Sequence, residues 1–150
     1  MSDYPANEHA ERTILGAILA EGWPDGGIPS LSQSDFSLSS HVSIYSAISI
    51  LVATGQAVDI VTVANWLEEA EVLASIGGRP YLFSLTEGLP RRPAIKDYVK
   101  IVKGKSLQRQ LIQACEAAVA AAYDGKSGME IIAELRAKCD EIEAQAKGKI

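Results

Sequence analysis

Residues 93–123 limit the fold of this chain more than any other segment, because nothing in them must break a helix. Gly104 is the weak position, and a glycine inside a helix costs only about 1 kcal/mol relative to alanine. At about 1.5 Å per residue the segment would extend nearly 50 Å, which is longer than a domain of this size is wide. The sequence therefore predicts one long helix that projects from the body of the protein.

The apolar stripe of this predicted helix changes face along its length. Its first half carries Ile95, Tyr98, Val99 and Val102 on one side. In its second half, Leu107, Leu111, Ala114, Ala118 and Ala122 lie roughly half a turn round, at about 100° per residue. The two halves must therefore pack against different partners.

A final helix is the predicted partner of the second half. Residues 125–128 (GKSG) have the composition of a turn, and apolar residues then recur at three- and four-residue steps from Met129 to Ala146. We expect an antiparallel helical hairpin over residues 93–150. Two helices alone bury little surface. A free apolar side of the hairpin therefore predicts that a further copy or another protein covers it.

The first 92 residues are predicted to form a small helical globule, so the fold class is all-α. A helix is expected over Glu8–Glu21 with Asn7 as its cap, and a second over His41–Ala53 with Ser40 as its cap. Asp59 should cap a third that ends near Ala70. A short helix holding Tyr81, Leu82 and Leu85 follows Gly77 and Gly78, while residues 22–29 (GWPDGGIP) must be a loop.

Composition places the chain among ordinary globular proteins of the cytoplasm. Apolar residues make up 47 % and charged residues 22 %, and no apolar stretch is long enough to span a bilayer. Two cysteines do not make a disulfide framework. Cys115 and Cys139 are symmetric about the predicted turn, which favours a buried pair of thiols over a redox link.

Charge is distributed unevenly along the chain. Residues 1–90 have a net charge of −9, residues 91–109 of +6 and residues 110–150 of −2. One helical face of the basic segment carries Arg92, Lys96, Lys100 and Lys103. A solvated face, an acidic partner surface and DNA phosphates are the open interpretations, and the acidic globule of a neighbouring copy fits better than DNA.

No residues are predicted to be catalytic, to bind a cofactor or to hold a metal. GKS occurs at residues 104–106 and 125–127, but neither copy has the earlier glycine or the preceding strand that a phosphate-binding loop requires. His9 and His41 have no partner at metal-ligand spacing, so we expect them to cap a helix or lie on the surface.

The order of several short motifs resembles the N-terminal domain of DnaB-type replicative DNA helicases over nearly the whole chain. The matching segments are Pro5-Ala6-Asn7 with Ala10-Glu11, Leu15 to Leu19, Asp35-Phe36 with His41, Ile44 to Ile48, Val58 to Val63 with Leu67, Gly77-Gly78, Tyr81-Leu82, Leu85, Pro90, Tyr98 and Ile101-Val102. Residues 22–29 replace a stretch that is usually helical in the family.

This resemblance implies a non-catalytic collar domain that assembles as a dimer, or as a trimer of dimers, and docks primase. It implies an ATPase domain elsewhere in any longer chain, and weak or indirect contact with DNA. By carry-over, the expected oligomer interface consists of Leu107, Leu111, Cys115, Ala118, Met129, Ile132, Leu135 and Ile142. A stand-alone regulator of a helicase collar or primase, and a nucleic-acid-binding protein acting through residues 91–109, are the alternatives.

Overall fold

The computed structural model describes residues 4–91 and 93–148, and in these ranges the protein has six α-helices and no strand. The helices are α1 (Glu8–Glu21), α2 (Ser39–Ala53), α3 (Ile60–Glu69), α4 (Gly78–Thr86), α5 (Ile95–Tyr123) and α6 (Gly128–Ala146). Two short 3-10 turns, Gln33–Asp35 and Ala74–Ile76, lie in the connections. The predicted all-α fold class is confirmed.

Helix α1 is the centre of the globule, since it packs against α2, α4 and α5 and is buried along nearly its whole length. Asn7 caps it as predicted, with its side chain accepting a hydrogen bond from the Ala10 amide at 2.9 Å. Gly16 lets α1 and α4 approach closely, because a β-carbon there would lie 2.0 Å from the Leu85 carbonyl oxygen. The core is therefore organised around one helix.

Helix α3 begins at the predicted cap and α2 does not. The Asp59 carboxylate accepts from the Thr62 amide, and the Thr62 hydroxyl accepts from the Asp59 amide, which is a reciprocal capping box. The prediction that Ser40 caps α2 is wrong: the helix starts at Ser39, and Leu38 in the cap position makes no side-chain cap bond. Gly78 also differs from expectation, as it is the first residue of α4 rather than part of a break before it.

Helix α5 is continuous over 29 residues, and it contacts α1 in its first half and α6 beyond the globule. Val99 and Val102 are buried in the core of the globule. Past the tip of the hairpin, Lys126 donates to the Glu134 carboxylate at 2.6 Å and holds the turn to the start of α6. The division into segments 1–92 and 93–150 remains a prediction, because α5 belongs to both the core and the hairpin.

Candidate interaction surfaces of the hairpin and globule

The hairpin exposes large apolar side chains on both of its helices. On α5, Leu111 is 40 % exposed and Val119 is 55 % exposed, and on α6 Ile132 and Met129 are 47 % and 76 % exposed. Ile112 and Cys115 lie between the first two along a shallow apolar groove. The α5 residues line one groove, and the two α6 residues are exposed on the other helix of the hairpin. We call these six residues the free face.

Four of the eight predicted interface residues belong to the free face, and the other four lie elsewhere. Leu111, Cys115, Met129 and Ile132 belong to the free face, whereas Ala118 and Leu135 line the groove between α5 and α6. Ile142 is only 3 % exposed, and Leu107 lines a cleft at the base of the hairpin. Val119 and Ile112 were not predicted to belong to this surface, although steps of four from Leu111 through Cys115 lead to Val119.

The prediction of a buried Cys115–Cys139 pair is wrong. Both thiols are free, Cys139 is half-buried and Cys115 is exposed. The residue of α5 that is buried at this level is Ala114, and one helical step of about 100° turns Cys115 away from α6. Cys115 therefore lies on the free face rather than inside the hairpin.

A cluster of polar side chains ties the base of the hairpin to the globule. The carboxylate of Asp35 accepts from the buried Ser106 hydroxyl at 2.8 Å and pairs with Lys103 at 3.2 Å. Arg109 donates to the Asp35 carbonyl at 2.7 Å and to the Pro5 carbonyl at 2.9 Å. These bonds fix the direction of α5 relative to the loop before α2, so the hairpin leaves the body at a defined angle.

Residues of the predicted basic stripe have different environments. Arg92 lies outside the described residues. Lys96 and Lys100 are exposed. Lys103 pairs with Asp35 and donates a hydrogen bond to the Ser30 carbonyl. The stripe is therefore not one uniform contact surface, because Lys103 is already paired with Asp35 within the same chain.

A second polar cluster is buried where α1, α2 and α4 meet. His41 is fully buried, with Nδ1 2.7 Å from Glu11 Oε1 and Nε2 2.6 Å from the Tyr81 hydroxyl. Arg12 donates to the same hydroxyl at 3.2 Å, and the Ser37 amide donates to Glu11 at 2.9 Å. The expectation of a capping or surface role for His41 is thus wrong, while His9 is exposed as predicted.

The Glu11 carboxylate is held in its charged form by these contacts. Burial is the largest single influence and raises its pKa, but hydrogen bonds from His41 and from Ser37 together outweigh it. The pKa of Glu11 is therefore lowered from its ordinary value of 4.5. Glu11 and His41 both stand in the motifs that carry the family resemblance, which was the available signal for this cluster.

The two GKS sequences are both part of the hairpin. Gly104-Lys105-Ser106 lies inside α5, with Ser106 bonded to Asp35, and Gly125-Lys126-Ser127 forms the turn of the hairpin. In the ranges that the structure describes, no group of three or more His, Cys, Asp or Glu side chains is placed to hold a metal ion. Among the same residues, no helix is long and apolar enough to cross a membrane.

A buried helical core and a projecting hairpin with an apolar free face define an all-helical domain. The family model described as "DnaB-like helicase N terminal domain" matches residues 3–104. The chain belongs to the family of DnaB-like helicase N-terminal domains.

Known relatives and solved structures show how much of a helicase the chain represents. The replicative DNA helicase DnaC of Bacillus subtilis is 33 % identical over 139 residues, which are 91 % of this chain and 30 % of that protein. The crystal structure of the N-terminal domain of DnaB helicase from Mycobacterium tuberculosis superposes with a TM-score of 0.81 at 31 % identity, covering 93 % of this chain and 99 % of that one.

A second similar structure was described together with a partner protein. A DnaB-like replicative helicase, described together with its interactions with primase, superposes with a TM-score of 0.75 at 28 % identity. The match covers 93 % of this chain and 31 % of that chain. The chain thus spans less than a third of the length of these full-length helicases, at their N-terminal domain.

Proposed function

We propose that this chain is the non-catalytic collar domain of a replicative DNA helicase, working in the cytoplasm. It pairs with a second copy through the free face of the hairpin and presents a docking surface to primase. The single observation that carries the proposal is the free face itself, on a hairpin whose base is rigidly tied to a closed helical core.

The free face supports pairing because it is apolar and because two copies of it can bury the same residues against each other. Fully burying a Leu or Val side chain contributes about 1.5–3 kcal/mol relative to exposure. In a contact between two identical faces every such burial occurs twice, which helps to offset the rotational and translational freedom lost on association. We therefore expect a twofold contact centred on α5 near Cys115, with Ile132 and Met129 at its edge.

The other parts of the function are supported by the relatives. Primase is named for one solved helicase of the same fold. Since the chain corresponds to about 30 % of the Bacillus subtilis helicase, ATP-driven unwinding is proposed to reside in a separate domain. An acidic globule with a net charge of −9 over residues 1–90 repels phosphates, so contact of this domain with DNA is weak or indirect.

The test is the mass of the chain by light scattering after size-exclusion chromatography. Wild type is expected to form a dimer or a multiple of dimers. Leu111→Asp with Ile132→Asp places two charges in the apolar contact and should yield a monomer. Ala137→Asp, at another exposed helical position of α6, is the control and should leave the mass unchanged. A double variant that kept the wild-type mass would contradict pairing through this face.

A second arm of the experiment mixes the chain with primase from the same organism. A complex of larger mass is expected for wild type. An assembly that does not gain mass with primase would contradict the docking role and favour the stand-alone regulator of helicase assembly instead.

A further inference from the structure

The residues that precede α1 form an arm that lies along α5. We call residues 4–7 the N-terminal arm. The Pro5 carbonyl accepts a hydrogen bond from Arg109 at 2.9 Å, and the Tyr4 hydroxyl donates to the Glu116 carboxylate. Arg109 and Glu116 are seven residues apart, which is about two helical turns and about 10 Å, so they share one face of α5. The arm therefore follows this face from the base of the hairpin outwards.

Hydrogen bonds, and not packing in the core, hold the arm to the hairpin. Tyr4 and Ala6 line a cleft of about 330 Å³ together with Gln113 of α5, and neither arm residue belongs to the hydrophobic core. The hydrogen bond to Glu116 raises the pKa of the Tyr4 phenol above its ordinary value of 10.0, so the hydroxyl remains a donor at neutral pH. The arm thus supplies Glu116 with a donor from outside the hairpin.

Glu116 also lines the shallow apolar groove of the free face. The other residues that line this groove are uncharged: Leu111, Ile112, Cys115, Val119 and Ala120. Glu116 is exposed, and within residues 4–91 and 93–148 it pairs with no cation. A second copy that covered the groove would remove water from this carboxylate, and a buried charge without a partner is strongly unfavourable. Covering the groove therefore favours a donor that stays with Glu116.

We propose that Tyr4 is a positioning residue of the pairing surface, whose hydroxyl holds Glu116 at the edge of the groove and satisfies the carboxylate when a second copy covers the free face. The inference rests on the proposed pairing through the hairpin, and it adds the N-terminal arm to a surface otherwise made by α5 and α6. A second copy is the occupant because the groove contains Cys115, where the twofold contact is expected.

The experiment is a double-variant cycle in which sedimentation equilibrium measures the dissociation constant of the dimer. Tyr4→Phe keeps the ring, removes the hydroxyl and should weaken pairing at least about ten-fold, because Glu116 is then desolvated without its donor. Tyr4→Phe with Glu116→Leu removes both partners of the hydrogen bond, which is nearly neutral, and should pair within about three-fold of wild type. Glu116→Leu alone completes the cycle and should pair at least as tightly as wild type.

Two controls separate pairing from folding. Tyr123→Phe makes the same chemical change at the end of α5, on a tyrosine that is 87 % exposed and does not line the groove, and should leave the dissociation constant unchanged. Tyr4→Phe is also placed in the chain that carries Leu111→Asp and Ile132→Asp, and urea unfolding is followed by circular dichroism. Because Tyr4 lies outside the core, the stability of this chain should not change.

The outcomes that overturn the inference differ from the outcome that overturns the pairing. A dimer whose dissociation constant is unchanged by Tyr4→Phe would overturn the inference and leave the pairing intact. Tighter pairing of Tyr4→Phe would also overturn it, since the arm would then obstruct the groove. A double variant as weak as Tyr4→Phe would show that the tyrosine acts independently of Glu116, which contradicts the positioning role. A wild type that remained a monomer would overturn the pairing and the inference together.

Discussion

His41 Nδ1 lies 2.7 Å from Glu11 Oε1, and both side chains are essentially inaccessible to solvent. Glu11 belongs to α1 and His41 to α2, and the opposite ring nitrogen of His41 reaches Tyr81 on α4. One imidazole therefore joins the central helix α1 to α2 and α4. A buried polar group without partners costs free energy, so this cluster makes the packing of these helices interdependent.

Removing one member of this cluster should destabilise the fold. For Glu11→Gln we expect the free energy of unfolding to fall by about 2–3 kcal/mol, because a charge-assisted hydrogen bond is lost while His41 stays buried. Tyr81→Phe should cost about 1–3 kcal/mol by leaving a ring nitrogen unpaired. Urea denaturation followed by circular dichroism measures both. Tyr123→Phe, at a tyrosine that is 87 % exposed, is the control and should change nothing; equal effects at both tyrosines would contradict the role of the cluster.

The lowered pKa of Glu11 also predicts a dependence of stability on acid. Because this carboxyl titrates below 4.5 in the folded state, the unfolded chain binds its proton first as the pH falls. Its contribution is complete above the unfolded pKa of about 4.5 and is lost as the pH falls through the lower folded value. The difference in unfolding free energy between wild type and Glu11→Gln should therefore be constant near neutrality and shrink in the acid range. A difference that grew on acidification would have the wrong sign.

Helix positions were predictable wherever the signal is local. The bounds of α1 and the cap of α3 follow from neighbouring residues, and the length of α5 follows from the absence of a breaker. The predicted cap at Ser40 was wrong. Several serines precede α2 and each could start it, but the helix begins at Ser39 with Leu38 in the cap position. Fold class needed no more than this local information.

The candidate surfaces were only partly predictable, since they depend on how helices are rotated against each other. Cys115 and Ala114 are adjacent in sequence, yet one faces solvent and the other α6. His41 has no sequence neighbour that indicates burial, because its partners stand 30 and 40 residues away. Spacing alone groups Lys103 with Lys96 and Lys100, and only the fold shows that Lys103 pairs with Asp35.

The contacts of Asp35 with Ser106 and Lys103 on α5 predict losses of stability of different size. Asp35→Ala removes the partner of the buried Ser106 hydroxyl and should lower the free energy of unfolding by about 2–3 kcal/mol. Lys103→Met breaks an ion pair in which the lysine is 22 % exposed, so we expect at most about 1 kcal/mol. Thermal unfolding of the two variants side by side checks the order. A larger loss for Lys103→Met would mean that charge pairing, and not the buried hydroxyl, secures the hairpin base.

Cys115 offers a direct probe of the proposed pairing. If two copies meet across the free face near this residue, a short bifunctional maleimide should link the two Cys115 thiols and give a covalent dimer on a denaturing gel. Cys115→Ser should abolish the product, whereas Cys139→Ser, at the half-buried thiol of α6, should not. A product that depends on Cys139 alone would place the contact on another side of the hairpin.

Gly16 and Gly104 make a matched pair of helical glycines with opposite expectations. A β-carbon at Gly16 would collide with the Leu85 backbone, so Gly16→Ala must push α1 and α4 apart and should cost about 3 kcal/mol or more. No atom lies within 4 Å of the corresponding position at Gly104. Gly104→Ala should therefore raise the free energy of unfolding by up to about 1 kcal/mol through helix propensity alone. Urea midpoints measure both changes, and a loss of stability in Gly104→Ala would contradict the open space at that position.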